Sequence, residues 1–99
     1  MGYKTIFRKR AAKEYLKSIS WYAERSTQAA ERFVLAVSET LTKIENNPDQ
    51  FRKSYKKFRD AKPKAFPFSI VYFIDEKKEL IVIISLFHQK RNPAKKFKL

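Results

Sequence analysis

His88 is the only histidine in the chain, and it stands where a long apolar run gives way to a cationic tail opening with Gln89, Lys90 and Arg91. Imidazole is the one side chain whose ordinary pKa lies near neutrality, so His88 is the first candidate for moving a proton. Lys90 and Arg91 are cations that can hold a phosphate or steady developing negative charge. Arg59, from an earlier β-prone stretch, completes the set. If neighbouring strands bring Arg59 to His88, Lys90 and Arg91, the four form a phosphate clamp with one proton-transfer group. A full acid–base pair is not visible, because no tyrosine follows His88. Each residue also has a plainer use. A histidine closing a buried strand serves well as a hydrogen-bonded structural residue. An arginine fork suits a backbone carbonyl or a cross-sheet acid as well as a phosphate.

A second candidate site is electrostatic. Arg52, Lys53, Lys56, Lys57, Arg59, Lys62 and Lys64 stand close together against the single acid Asp60, with Tyr55 and Phe58 interleaved. Over the whole chain 23 Lys and Arg face 10 Asp and Glu, a formal net charge of +13 in 99 residues. Such a chain repels itself and favours an anionic partner, either nucleic acid or an acidic protein. Arg52, Lys53, Lys56, Lys57, Arg59, Lys64, Lys90 and Arg91 are the residues expected to meet it. The same run is equally the composition of a solvated face.

Composition removes several classes of chemistry. There is no cysteine, which excludes disulfides and thiolate metal sites. One histidine and scattered acids leave no expected metal centre. The single glycine, Gly2, leaves no glycine-rich phosphate loop, and no cofactor is expected. The N-terminal charges Lys4, Arg8, Lys9 and Arg10 lead into no apolar core segment, so no signal peptide is read there. The apolar runs fall short of the ~20 residues that span a bilayer. The expectation is a cytoplasmic protein with no membrane partner, built as one domain over residues 1–99.

The elements that must position these residues follow from periodicity. Ala65–Ile74 and Leu80–Phe87 are rich in β-branched and aromatic residues and flank Asp75-Glu76-Lys77-Lys78-Glu79. They predict a β-hairpin with a charged turn, and their unbroken apolar character predicts central strands buried on both faces. Tyr3–Phe7 predicts a short first strand. Ala12, Tyr15, Leu16, Ile19, Tyr22 and Ala23 predict a helix from about Arg10 to Glu24, with Lys13, Glu14, Lys17 and Ser18 on its solvent side. Trp21 falls off that stripe. Ser26 or Thr27 is the expected N-cap of a second helix, whose stripe is Ala30, Phe33, Val34, Val37, Leu41 and Ile44. Asn46-Asn47-Pro48 ends it. A strand is expected over Tyr55–Ala61, and the final residues are expected to form a short helix or a loose tail. The order is β-α-α-β-β-β. This is an α+β domain in which a helical hairpin packs on a mainly antiparallel four-stranded sheet.

With that order in place, the chain resembles the RelE/ParE toxin superfamily of bacterial toxin–antitoxin modules. Three stretches carry the resemblance: Trp21–Arg25 with Ala29–Phe33, Phe58-Arg59 ahead of Phe66–Tyr72, and the His-x-x-Arg ending His88–Arg91. The resemblance implies the toxin of a type II pair, of the ParE-like plasmid-stabilisation kind, with an acidic antitoxin as partner. Members similar to ParE inhibit DNA gyrase by binding and need no catalytic set; the His88–Arg91 ending and the Trp21-Tyr22 segment, a candidate partner interface, favour that branch. Members similar to RelE cleave mRNA on the ribosome without a metal, and here His88, Arg59, Lys90 and Arg91 would have to do that work. An inactive relative, or a basic nucleic-acid-binding module, is the third possibility.

Overall fold

The computed structural model describes residues 2–90. Strand β1 (Lys4–Phe7) leads into helix α1 (Lys9–Arg25) and helix α2 (Thr27–Asn46). A 3₁₀ turn at Pro48–Gln50 follows, then β2 (Lys53–Tyr55), β3 (Phe58–Ala61), β4 (Phe68–Asp75) and β5 (Leu80–His88). The strands form one sheet in the order β1-β5-β4-β3-β2. All neighbours are antiparallel except β1, which runs parallel to β5. The expected α+β architecture is therefore present, with five strands in place of four. The tail expected to be a short helix or loose chain lies outside the described residues beyond Lys90.

The extra strand arises at Lys56-Lys57. The stretch expected as one strand over 55–61 folds back on itself there, with Lys56 at φ 50°. Two-residue hairpin turns favour such left-handed residues, normally Asn or Gly. A lysine gives no sequence signal for them.

The central hairpin matches expectation. Strands β4 and β5 occupy the middle of the sheet, and Ile70, Val71, Tyr72, Ile81, Ile83 and Leu86 are all almost fully buried. The charged turn is held by Asp75, whose Oδ1 accepts the Lys78 N–H at 3.1 Å. Ser26 caps α2, accepting the Ala29 N–H at 3.2 Å, and Asn47-Pro48 ends the helix. Phe33 of α2 is the hub of the core. Its ring packs on Tyr15, Tyr22, Phe66 and Phe68 with centroids 5.0–5.9 Å away.

Helix α1 packs Tyr15, Ile19 and Tyr22 of its expected stripe on the core, but the edges of the stripe differ. Ala11 is fully buried, whereas Leu16 is 63% exposed. Glu14, expected on the solvent side, reaches β5 instead, and both it and Ser18 are partly buried. Small Ala11 and Ser18 let the helix approach the sheet closely, which the larger Leu16 would prevent.

Two local features give testable consequences. Ala65 has φ 69° in the exposed turn before β4. An alanine there meets steric strain that glycine lacks, so Ala65→Gly is expected to stabilise the fold by about 1 kcal/mol and raise Tm by about 5 °C in a thermal melt. Tyr72 is fully buried and donates its hydroxyl to the Pro48 carbonyl at 2.7 Å. Burial pushes its phenol up to about 12, with nearby Arg59 pulling it partly back. A folded-state pKa above the unfolded value of about 10 gives stability that is present below pH 10 and lost between pH 10 and 12. Denaturant titrations are expected to show a steeper loss over that window in the native chain than in Tyr72→Phe.

Candidate functional site

His88 closes β5 directly opposite Phe68 at the start of β4. The imidazole meets the Phe68 ring edge-on at 4.9 Å between centroids. Its Nδ1 accepts the backbone N–H of Lys90 at 3.0 Å, so the neutral ring carries its proton on Nε2. Immediately after, Gln89 donates its N–H to the Pro67 carbonyl at 2.9 Å, tying the end of β5 to the start of β4.

This rim forms one wall of a groove of about 550 Å³, and α1 forms the other. His88, Lys90 and Phe68 stand on the sheet side; Lys17, Trp21 and Tyr22 stand on the helix side. The structure thus joins two sets that the sequence left separate, the His88 ending and the Trp21-Tyr22 segment. Trp21 is half exposed, with the Arg25 guanidinium 3.5 Å above its ring. Arg25 is held there by donating to the Trp21 carbonyl at 2.8 Å.

Glu14 fixes the groove's floor. Strand β1 has ended by Arg8, whose N–H reaches the Ile83 carbonyl, so beyond Ile83 the β5 edge has no strand on that side. Glu14 fills the gap from α1. Its Oε1 accepts the Leu86 N–H at 3.0 Å and the Ser85 hydroxyl at 2.9 Å, while Oε2 lies 3.4 Å from Arg10. A bulge between β4 and β5 leaves Ile84 without a cross-strand partner, and the Ser85 hydroxyl next to it reaches Glu14. Glu14, Lys17 and Phe68 were missed as site residues. The available signal was Glu14 itself, an acid three positions from Ala11 in a helix otherwise rich in lysine and arginine.

Arg59 is not part of this groove. It pairs with Tyr72 on the neighbouring strand, whereas His88 pairs with Phe68. Two strand spacings across and four residues along separate the Cα atoms of Arg59 and His88 by about 16 Å. The Arg59 guanidinium is also occupied. It donates to the carbonyls of Phe51 at 2.5 Å and Asp49 at 3.2 Å, and to the Asp49 carboxylate at 3.1 Å. The expected clamp of Arg59 with His88 does not form; the arginine pins the chain between α2 and β2 to the sheet.

The basic run is likewise divided. Lys56 and Lys57 sit at the β2–β3 turn, at the sheet end opposite His88, where Lys57 lies 4.3 Å over the Phe73 ring. Lys56 lies 5.3 Å over the exposed Tyr55 ring. Arg52 and Lys53 are exposed on the same hairpin. Lys64 is exposed on the segment entering β4, toward the His88 end. Arg91 lies outside the described residues. Among the described residues no three His, Asp or Glu side chains gather as metal ligands would. No described helix is long and apolar enough to cross a membrane.

Chemically, the groove offers one imidazole and two lysine cations above an apolar floor. Tyr22, the nearest phenol, is packed against Phe33 and Phe66, and burial raises its pKa. Both Glu14 oxygens are already engaged.

Residues 5–93 match the family model described as the ParE toxin of the type II toxin–antitoxin system parDE. No curated protein matches the chain at a significant level. Among solved structures, a chain of the chromosomal ParDE system of P. aeruginosa aligns with TM-score 0.72 at 14% identity, covering 87% of this chain and 95% of that one. The isolated E. coli RelE toxin aligns with TM-score 0.63 at 17% identity, covering 95% and 92%. A chain of the intact E. coli RelBE toxin–antitoxin complex gives 0.62 at 18%, covering 90% and 99%. At these identities the likeness is one of fold.

Proposed function

The chain belongs to the ParE toxin family of type II toxin–antitoxin systems, and from that membership we propose that it acts in the cytoplasm by binding DNA gyrase, with no chemistry of its own. Its antitoxin is an acidic protein that a +13 chain draws in by electrostatic steering. The fold is shared with chains of both ParDE and RelBE systems, so the choice of target is argued from the site. The observation that carries it is Arg59. Phosphodiester cleavage requires cations and proton-transfer groups converging on one phosphate. Here the strand arginine is committed to the Asp49 and Phe51 carbonyls, about 16 Å from His88 by strand geometry. A binding toxin needs only a surface, and the groove with its cationic rim supplies one.

Induction without the antitoxin tests this reading. Growth is expected to stop with mRNA intact, an SOS response and gyrase trapped on DNA. His88→Ala is expected to weaken growth arrest only by degrees, since it trims one wall of the groove and removes no proton-transfer step. Rapid mRNA cleavage at ribosome-bound codons, abolished in His88→Ala, would overturn the reading in favour of a nuclease. Normal growth would leave a basic binding module that is no toxin.

A further inference from the structure

We propose that residues 91–99 act as a strap across the sheet face turned away from the helices, seating Phe97 and Leu99 on an apolar cluster there. The inference is independent of the toxin's target. The sheet carries a core on each face. On one face Ala11, Phe33, Val37 and Ile44 of the helices pack against the strands. On the other, Phe58, Val71, Val82 and Ile84 form a second cluster with Phe73 and Leu80, and no helix residue joins it. Ser69 and Phe87 pair across β4 and β5 and alternate with the helix-side residues Phe68, Ile70 and Leu86, so they share the second face. A sheet face open to water leaves its large side chains partly exposed. Here Val71 is 0% exposed, Ile84 2% and Phe87 3%. These residues are covered, and no described helix does the covering.

The burial belongs to a single chain, so the cover comes from that chain and not from a partner or a second copy. Two other segments are placed elsewhere. Gly2 stands beside the Glu45 carbonyl of α2, which puts the N-terminal end on the helix side. The connection between β3 and β4 sends Phe66 into the helix-side core. Residues 91–99 leave from the right place. Gln89 is tied to the Pro67 carbonyl at the end of the sheet where Ser69 and Phe87 lie. The strand from His88 back to Val82 is about 20 Å long, and nine extended residues reach about 30 Å. Phe97 and Leu99 alternate with Lys96 and Lys98. An extended chain turns the two apolar side chains to the sheet and the two lysines to water. Charge agrees with this placement. Asp60 lies opposite Val71 on the same face, and the strap brings Arg91, Lys95, Lys96 and Lys98 with no acid.

Nuclear magnetic resonance of the full chain tests the strap. Nuclear Overhauser contacts are expected between the Phe97 ring and the methyls of Val71 or Ile84, within one molecule in a mixture of labelled and unlabelled chains. A soluble nitroxide then reads the cover. In the native chain it should relax the Val71 and Ile84 methyls as weakly as those of Ile81 on the helix side. In the double variant Phe97→Ser with Leu99→Ser, relaxation at Val71 and Ile84 is expected to rise toward that of Ile6, which is 44% exposed, while Ile81 stays protected. Lys96→Ser with Lys98→Ser is expected to change neither. Should the apolar double variant unfold, Ile81 would relax too, and the contacts in the native chain alone decide. Contacts of Phe97 with Trp21 and Tyr22 would overturn the proposal, because the segment would then fill the helix-side groove. Contacts only between chains, no contacts at all, or protection at Val71 and Ile84 unchanged by losing Phe97 and Leu99 would overturn it as well. None of these readouts depends on growth arrest, so the binding reading of toxicity stands or falls separately.

Discussion

Arg59→Ala is expected to lower stability by about 3 kcal/mol and Tm by about 15 °C. The loss comes mainly from the Phe51 carbonyl and from the packing of a side chain that holds residues 49–51 to the sheet. Asp49 and Phe51 accept from a guanidinium whose side chain is only 14% exposed; truncation strands the partly buried Phe51 carbonyl and leaves the exposed Asp49 carbonyl to water. The Asp49 carboxylate adds little, because it is 78% exposed and screened by solvent. Arg59→Lys keeps the charge but loses the fork, so it is expected to recover about 1 kcal/mol of the loss. Toxicity should follow the folded fraction and return when Arg59→Ala is assayed at low temperature. An arginine that contacts the target would behave in the opposite way. Its alanine variant would melt with the native chain and lose toxicity at every temperature.

Glu14→Ala is expected to cost about 3 kcal/mol, because it leaves the Leu86 N–H and the Ser85 hydroxyl without their acceptor on an edge that no strand covers. Glu14→Gln retains a carbonyl oxygen at the same place and should lose only about 1 kcal/mol. Amide exchange at Leu86 is expected to accelerate strongly in the alanine variant and far less in the glutamine variant. Unchanged exchange at Leu86 would mean that Glu14 does not anchor α1 to β5.

Much of this fold is legible in the sequence, for identifiable reasons. Strands β4 and β5 announce themselves because β-branched and aromatic residues run unbroken on both sides of a charged turn. Ser26 and Asn47-Pro48 bound α2 because capping and helix termination are local chemistry. The face of α1 was less legible. Leu16 and Ala11 belong to overlapping helical stripes, and only the closeness of β5 selects the one with small Ala11 and Ser18. The β2–β3 turn was hidden because Lys56 occupies a left-handed position without glycine or asparagine to mark it.

The site divides in the same way. His88 and Lys90 are placed by the end of β5, and the sequence locates that end well. The use of Arg59 is set by the path of residues 47–51, a segment whose course no periodicity dictates. Arginine forks take carbonyls and phosphates alike, so residue type could not choose between them. Lys17 and Glu14 became visible only once the packing of α1 was known.

The central claim is that this toxin binds its target and does not cut. Adding the purified chain to DNA gyrase with plasmid and ATP, and in parallel to ribosomes programmed with a short mRNA, tests it most directly. Protein-linked double-strand breaks in the plasmid beside uncut mRNA are the predicted result; codon-positioned mRNA cleavage with gyrase turnover untouched would contradict it.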